Sequence, residues 1–262
     1  MERARTRIGF TADGLSVNFD ASSSSGGNTP ITGYTWNFGD GATASGVAPQ
    51  HTYDEAGTYP VTLEVTNGAG RTAELTQTVT VAESTEPVTE TVIGDADSWR
   101  WRYEQDAPPS RWNARTFDSS GWSLGGAVLG WGHASVVTNI STAFPNTADR
   151  PRAAYFTKSF EVADASKVTQ LVLDTVADDG AVVYVNGTEV ARQNMPAGAI
   201  THMTFAPSAR RAAVAEAQGF VIDVPVGLLV NGTNVVAVES HVNYRATPDL
   251  TFHLNADLTR TP

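Results

Sequence analysis

The segment 34–41 most restricts the fold of this chain, because large apolar residues alternate there with small polar ones before a Gly-Asp-Gly sequence. Residues two apart lie on the same face of a strand, so Tyr34, Trp36 and Phe38 are expected to share one face. The alternation resumes over residues 59–65. Two such faces can close on each other as a small β-sandwich. No side chain in these strands is placed for chemistry, which favours a spacer or binding module.

Four sequence blocks in this region resemble the polycystic-kidney-disease (PKD) repeat. The blocks are Phe19–Ser22, Trp36–Gly41, His51–Tyr53 and Ala56–Tyr59. The resemblance covers roughly residues 5–82. It implies an immunoglobulin-like β-sandwich, here assigned to residues 1–82, of the kind found on cell surfaces and in secreted hydrolases.

Residues 83–92 are predicted to be a linker, because three glutamates and a proline favour an extended, self-repelling segment. The second domain is assigned to residues 93–262, where short β-rich runs are separated by turns. Asn186-Gly187 between two such runs is a strong hairpin signal. A short helix is predicted within residues 208–217. This spacing of strands is typical of a sandwich or jelly roll.

The second region resembles the galactose-binding-like jelly roll that is appended to many secreted bacterial proteins. The blocks that carry the resemblance are Trp101–Tyr103, Trp112, Phe117–Trp122, Ala127–Gly132, Tyr155–Phe156, Asp178–Gly187, Asn194–Pro196, Asn234–His241 and Asp249–Phe252. The predicted fold class is therefore all-β, with two β-sandwich domains: an immunoglobulin-like PKD sandwich and then a galactose-binding-like jelly roll. The fold alone does not assign a ligand.

The composition of the 262-residue chain excludes several classes of function. A net charge of −11 lacks the basic footprint of nucleic-acid binding. No apolar run is long enough to cross a bilayer, so membrane insertion is not expected. The chain has no cysteine, which excludes disulfides and thiolate metal sites. No signal peptide is recognisable at the start, which suggests a fragment of a longer exported protein or a virion protein released by lysis.

Loops at one end of the second sandwich are predicted to bind carbohydrate. Trp131 lies between glycines and is expected to be an exposed aromatic platform for a sugar. The segment 241–245 brings together an imidazole, an amide, a phenol and a guanidinium, which suit a hydroxyl-rich ligand. Alternatively, His241 and Arg245 satisfy loop carbonyls. The predicted ligand-binding residues are Trp131, His133, Arg192, Asn194, His241, Asn243, Tyr244 and Arg245.

The carboxylates of Asp178 and Asp179 permit two interpretations. Calcium takes six to eight oxygen ligands, so these two would hold it only with help from other loops. The favoured alternative is that they cap a tight turn through bonds to the backbone. We expect that no cofactor is required, with a structural calcium ion as an option.

The sequence contains no catalytic constellation, so the chain is predicted not to be an enzyme. The motif at residues 121–125 fits G-x-S-x-G, but an apolar β-like run follows it instead of the helix that a nucleophile elbow requires. Ser123 is therefore assigned to an ordinary turn. Glu239 and Asp223 are the best candidates for the paired carboxylates of glycoside hydrolysis, although nothing in the sequence places them together.

The predicted function is a non-catalytic, extracellular binding, adhesion or spacer module, secreted or on the cell surface and directed to carbohydrate such as a cell-surface glycan. One alternative is a structural virion protein, a phage capsid decoration or tail component on the virion surface that packs against other virion subunits. Another is an accessory part of a secreted, glycoside-active enzyme.

Overall fold

The computed structural model describes residues 3–210 and 212–262 and is built almost entirely from β-strands. It divides into two compact units, of which the first ends at Glu86 and the second comprises Pro87–Thr261. The division falls inside the segment that the sequence assigned to a linker. The predicted all-β fold class is confirmed.

The first unit is a sandwich of two antiparallel sheets. One sheet has three strands in the order β1-β2-β5, and the other has four in the order β4-β3-β6-β7. Its strands are β1 (Gly9–Asp13), β2 (Ser16–Asp20), β3 (Ile31–Asn37), β4 (Thr43–Ser45), β5 (Gln50–Thr52), β6 (Gly57–Asn67) and β7 (Thr72–Val81).

Aromatic residues from both sheets fill the core of the first unit. Trp36 and Phe38 are buried, as the alternation predicts, and the ring of Phe19 packs 5.3 Å and 5.2 Å from theirs. After this strand the chain turns at Gly39, where φ is +85° and an added Cβ would lie 2.8 Å from the Pro60 ring. Glycine at position 39 is therefore needed both for its backbone angle and for its small size.

The second unit is a larger sandwich. The front sheet has the order β10-β9-β13-β18-β15-β16, and the back sheet has the order β12-β11-β19-β14-β17, with β8 also paired to β19. The strands are β8 (Val88–Ile93), β9 (Ser98–Arg102), β10 (Ser123–Gly126), β11 (Leu129–Trp131), β12 (Thr138–Asn139), β13 (Ala153–Val162), β14 (Val168–Ala177), β15 (Gly180–Val185), β16 (Thr188–Gln193), β17 (Phe220–Asp223), β18 (Gly232–His241) and β19 (Leu250–Arg260). The helix is α1 (Ala212–Ala217), and short 3₁₀ turns lie at Thr147–Asp149, Ala165–Lys167 and Val226–Leu228.

The two sheets of this unit meet in one apolar core. Trp99 and Phe156 from the front sheet pack on Phe252 from the back sheet, with ring centroids 5.0 Å and 4.2 Å apart. Because side chains alternate along a strand, the other set on the front sheet points to its outer face. That outer face carries the site described below.

The structure agrees with the predicted hairpin and differs at the predicted linker. Asn186 and Gly187 connect β15 to β16 with φ of +52° and +88°, as a tight hairpin requires. The linker prediction is wrong from residue 88 onward, because β8 pairs with β19, and Thr89 lies opposite Thr259. The β-branched residues of this segment favour a strand, while its glutamate at 90 stays exposed to solvent.

Candidate functional site

A groove of about 400 Å³ lies on the outer face of the front sheet. Its walls come from the loop 112–120 and its floor from β9, β13 and β18. The volume is within the range of small-molecule sites. Sequence reasoning did not place a site here.

The floor of the groove follows from the strand register. Leu124 pairs with Arg100, and Arg100 with Thr157, so their side chains lie in one row across the sheet. Thr157 is only 4% exposed, and its hydroxyl has no hydrogen-bond partner among the described residues. An unpaired buried polar group costs about 1–3 kcal/mol. This hydroxyl on the groove floor therefore has unused hydrogen-bonding capacity.

Aromatic packing fixes the wall of the groove. The Trp112 ring lies 4.9 Å from Tyr155 and 6.1 Å from Trp122, and the Phe117 ring lies 5.6 Å from Trp122. Both tryptophans are buried against the sheet, while Phe117 stays partly exposed. The loop is thereby held in place, and the groove has an apolar wall before any ligand arrives.

Basic side chains surround the groove. The Arg100 Nη1 donates to the Trp122 carbonyl at 3.2 Å, which leaves most of its guanidinium donors unused. Lys158 Nζ lies 3.4 Å from an Asp97 carboxylate oxygen. Arg115 is exposed and forms no hydrogen bond or ion pair within residues 3–210 and 212–262.

One carboxylate, that of Asp118, also lines the groove. It accepts a hydrogen bond from the Ser120 amide at 2.8 Å. Hydrogen bonds from Ser120 lower the pKa of Asp118, and the charge of Arg100 adds to this effect. Asp118 is therefore ionised at neutral pH and partly offsets the basic side chains.

The structure brings three of the predicted residues together at the loop end of the same sandwich. One carboxylate oxygen of Asp179 accepts a hydrogen bond from the backbone N–H of Asn243 at 2.7 Å, and the other accepts one from the backbone N–H of Arg210 at 2.6 Å. The Asn194 side chain donates to the Asp179 carbonyl at 3.0 Å. These polar groups hold three loops in place through contacts between residues distant in sequence. The interpretation that both aspartates cap their own turn stays a prediction.

Two predicted arginines are also occupied by loop contacts. Arg192 forms a two-pronged ion pair with Glu189, at 2.6 Å and 2.7 Å, and donates to the Pro196 carbonyl. Arg245 donates to the Arg150 carbonyl. The Arg245 contact is of the kind that the alternative interpretation describes. The role of both arginines in binding stays a prediction.

His241 belongs to a buried network on the front sheet. Its Nδ1 lies 2.9 Å from the Thr204 carbonyl oxygen, and its Nε2 lies 3.2 Å from a Glu239 carboxylate oxygen. The Tyr184 hydroxyl donates to the other oxygen of Glu239 at 2.6 Å. Burial is the larger cause that raises the pKa of Tyr184, and the hydrogen bond to the Glu239 carboxylate is the next. Asp223 is exposed on the back sheet. The core therefore separates Glu239 from Asp223, and they do not form a glycosidase pair.

The expectation of an exposed Trp131 is wrong, because this residue is only 2% exposed. Its ring packs 5.3 Å from that of Tyr103, and the Arg150 guanidinium lies 4.9 Å above it. The flanking glycines have another cause than a projecting loop. A Cβ at Gly130 would collide with the Leu250 carbonyl, so glycine is required for close strand packing. Four of the five tryptophans between Trp99 and Trp131 are buried.

His133 lies in a surface trio with Ser135 and Glu216. Its Nδ1 is 2.8 Å from the Ser135 hydroxyl and 3.1 Å from a Glu216 oxygen, and that serine donates to the same glutamate at 2.7 Å. A catalytic triad needs the imidazole between serine and acid, through its two nitrogens. Here one nitrogen meets both groups, so the trio cannot relay a proton. Tyr244, the last predicted ligand-binding residue, is 47% exposed.

Asp178 is fully buried beside Asp179, and neither of its carboxylate oxygens has a hydrogen-bond partner in the described structure. Burial and the neighbouring Asp179 charge raise the pKa of Asp178 to about 9. No group of three or more His, Cys, Asp or Glu side chains within the described ranges could hold a metal ion. The optional calcium ion stays a prediction.

The first unit is similar to known PKD domains. Residues 6–82 match the PKD domain model. The chain is 39% identical over 69 residues to a microbial collagenase of Vibrio alginolyticus, a match that covers 26% of this chain and 8% of the collagenase. The PKD1 domain of the Vibrio cholerae metalloprotease PrtV is 36% identical and covers 30% of this chain and 98% of that domain, with a TM-score of 0.30.

A third similar protein extends over almost the whole chain. It is a carbohydrate-binding module of the β-sandwich superfamily, 13% identical, with a TM-score of 0.31, and it covers 99% of this chain and 96% of its own. No helix in the described part of the chain has the length and apolar character to span a membrane. The resemblance of residues 6–82 to the PKD repeat is confirmed by the family match.

Proposed function

We propose that this chain is a non-catalytic binding module whose second unit binds carbohydrate in the groove on the front sheet. The observation that carries the proposal is the buried, unpartnered Thr157 hydroxyl on the groove floor. Beside it stand the aromatic wall of Trp112 and Phe117 and the hydroxyls of Ser159 and Thr233. A sugar offers the matching chemistry, an apolar ring face and many hydroxyl groups.

In this proposal, the first unit is a spacer, and the second unit contains the groove. Its relatives include a collagenase in which the match covers only 8% of the length, so the matched part is a small portion of a larger protein. We propose the same accessory position for this chain in an extracellular protein. An accessory part of a glycoside-active enzyme is one version of that proposal. The virion and adhesion roles stay predictions, since none of the proteins compared above is a virion or adhesion protein.

A glycan array that covers plant, bacterial and animal sugars tests the proposal. The intact chain should bind at least one glycan, and Thr157→Val should weaken that binding about 2- to 10-fold, because one hydrogen bond to a neutral group is lost. Thr138→Val is the matched control, since Thr138 does not line the groove and its hydroxyl donates to the Gly126 carbonyl at 2.8 Å. Its affinity should not change.

Two results would contradict the proposal. The first is an array without any bound glycan at millimolar sensitivity. The second is a bound glycan whose affinity is the same for Thr157→Val as for the unchanged chain, because the sugar would then occupy another surface.

A further inference from the structure

We infer that the groove prefers an acidic sugar, one that carries a carboxylate or sulfate, over a neutral one. This inference rests on the carbohydrate binding proposed above and adds the class of sugar. It depends on the charges and apolar groups that the fold places around the Thr157 hydroxyl.

The local charge of the groove is opposite to that of the whole chain. The chain has 28 acidic and 17 basic residues, but Arg100, Arg115 and Lys158 line the groove with a single carboxylate, that of Asp118. Asp97, which lies 3.4 Å from Lys158, neutralises that ammonium group. Two guanidinium groups then face one carboxylate, and the groove retains an excess of positive charge.

The guanidinium groups also keep free donors. Arg100 uses one N–H for the Trp122 carbonyl, and Arg115 has no polar partner among the residues that the structure describes. A guanidinium carries five N–H donors in a planar fork that matches the two oxygens of a carboxylate or sulfate. In a chain with so many carboxylates, an arginine without one is available to an anion from outside.

An apolar surface lies next to these cations. Leu124 is 58% exposed and is the cross-strand neighbour of Arg100, and Phe117 lies on the loop wall beside Arg115. A small inorganic anion has no apolar surface that could pack against these side chains. A sugar ring with an acidic substituent uses both, because its ring face packs on apolar side chains while its charged group meets the guanidinium groups.

Calorimetric titration of the intact chain tests the inference with matched probes. The acidic probes are a galacturonate trimer and a sulfated galactose trimer, and the neutral probes are the methyl ester of the first and the unsulfated form of the second. At least one acidic probe should bind roughly ten-fold or more tightly than its neutral counterpart, because charged hydrogen bonds are the stronger ones. Raising NaCl from about 50 to about 500 mM should weaken that binding by screening.

Arg115→Gln is the diagnostic variant, because Arg115 is exposed and has no hydrogen bond or ion pair to lose among the described residues. It should reduce the affinity for the acidic probe about ten-fold and for the neutral probe less than about two-fold. Arg71→Gln, which removes an exposed arginine of the first unit, has the same effect on net charge and should change neither affinity. Unfolding in urea should be the same for both variants and the unchanged chain.

The remaining outcomes distinguish the preference for acidic sugars from carbohydrate binding in the groove as such. Equal affinity for acidic and neutral probes, lost in Thr157→Val, overturns the acidic preference and leaves carbohydrate binding in the groove. No binding of any probe, together with an empty glycan array, overturns both. Acidic-probe binding that survives Arg115→Gln, or hexaglutamate binding that is equally tight and equally dependent on Arg115, overturns the inference.

Discussion

Two polar regions of the second unit, the loop end around Asp179 and the groove around Thr157, differ in what their polar groups contact. At the loop end, the Asp179 carboxylate accepts two backbone N–H groups. In the groove, the Thr157 hydroxyl and the Arg115 side chain lack polar partners in the described structure. The Asp179 carboxylate stabilises loops, although the carboxyl of Asp178 beside it is unpaired too. In the groove, the unpaired groups line a surface cavity. A cluster of polar residues in a sequence does not distinguish them.

The largest expected effect is that of Asp179→Ala on stability. Two hydrogen bonds to a buried charged acceptor would be lost, so the free energy of unfolding of the second unit should fall by about 3 kcal/mol or more. Urea denaturation measures this. Asp106→Ala removes an exposed carboxylate without a hydrogen bond or ion pair in the described ranges, and should stay within about 0.5 kcal/mol. Equal effects of the two variants would contradict the claim that the Asp179 carboxylate stabilises the loops.

The second effect is a pH dependence that arises from Asp178 at the loop end. The raised pKa of Asp178, about 9 in the folded state against an ordinary value of 3.8, means that the folded state holds a proton which the unfolded state releases above pH 4. The contribution of Asp178 to stability should therefore be fully present below about pH 4 and fall as pH rises toward 9. Asp178→Asn cannot ionise.

Asp178→Asn should consequently gain stability relative to the unchanged chain between these pH values. The gain should be at least about 1.4 kcal/mol, the equivalent of one pKa unit. Urea denaturation at a series of pH values provides the comparison. A constant difference between the two proteins across this range would show that Asp178 is ionised in the folded state.

A smaller effect contrasts two threonines. Thr157→Val removes a buried hydroxyl without a partner, so the free energy of unfolding should stay constant or rise by up to about 1 kcal/mol. Thr138→Val loses the hydrogen bond to the Gly126 carbonyl and should lower stability by about 1 kcal/mol. Thermal unfolding of both variants tests this. Clear destabilisation by Thr157→Val would mean that its hydroxyl is already paired.

The smallest effect concerns Tyr244, an exposed member of the predicted loop-end site. Tyr244→Ala should change stability by less than about 0.5 kcal/mol. It should also leave glycan affinity unchanged if the sugar lies in the groove. A marked loss of affinity on the array would instead place the ligand at the loop end, as the sequence predicted.

The sequence was sufficient for the fold where a local pattern determined the structure. Alternation around Trp36 located the first core, and Asn186-Gly187 located a hairpin, since both signals depend on neighbouring residues. The linker prediction was wrong for residues 88–92, because their partner strand lies far away in the sequence. Thr89, for example, lies opposite Thr259, about 170 positions later. Charge composition alone does not show such a distant partner.

The candidate site was beyond sequence reasoning for a similar reason. The glycines around Trp131 indicated a loop, but they are required by the backbone of a strand distant in sequence. Arg100, Arg115 and Thr157 meet only after β9 and β13 pair and the loop 112–120 folds over them. The cluster of tryptophans was visible in the sequence, but not the face of the sheet on which each one lies.

The pairing of β8 with β19 has a practical consequence for protein engineering. Val88 lies opposite Arg260, so the strand by which the chain enters the second unit and the strand by which it leaves run side by side. Neighbouring ends of this kind tolerate grafting. We expect that residues 87–261 can be transplanted as one cassette into a surface hairpin of an unrelated host, with every sheet intact.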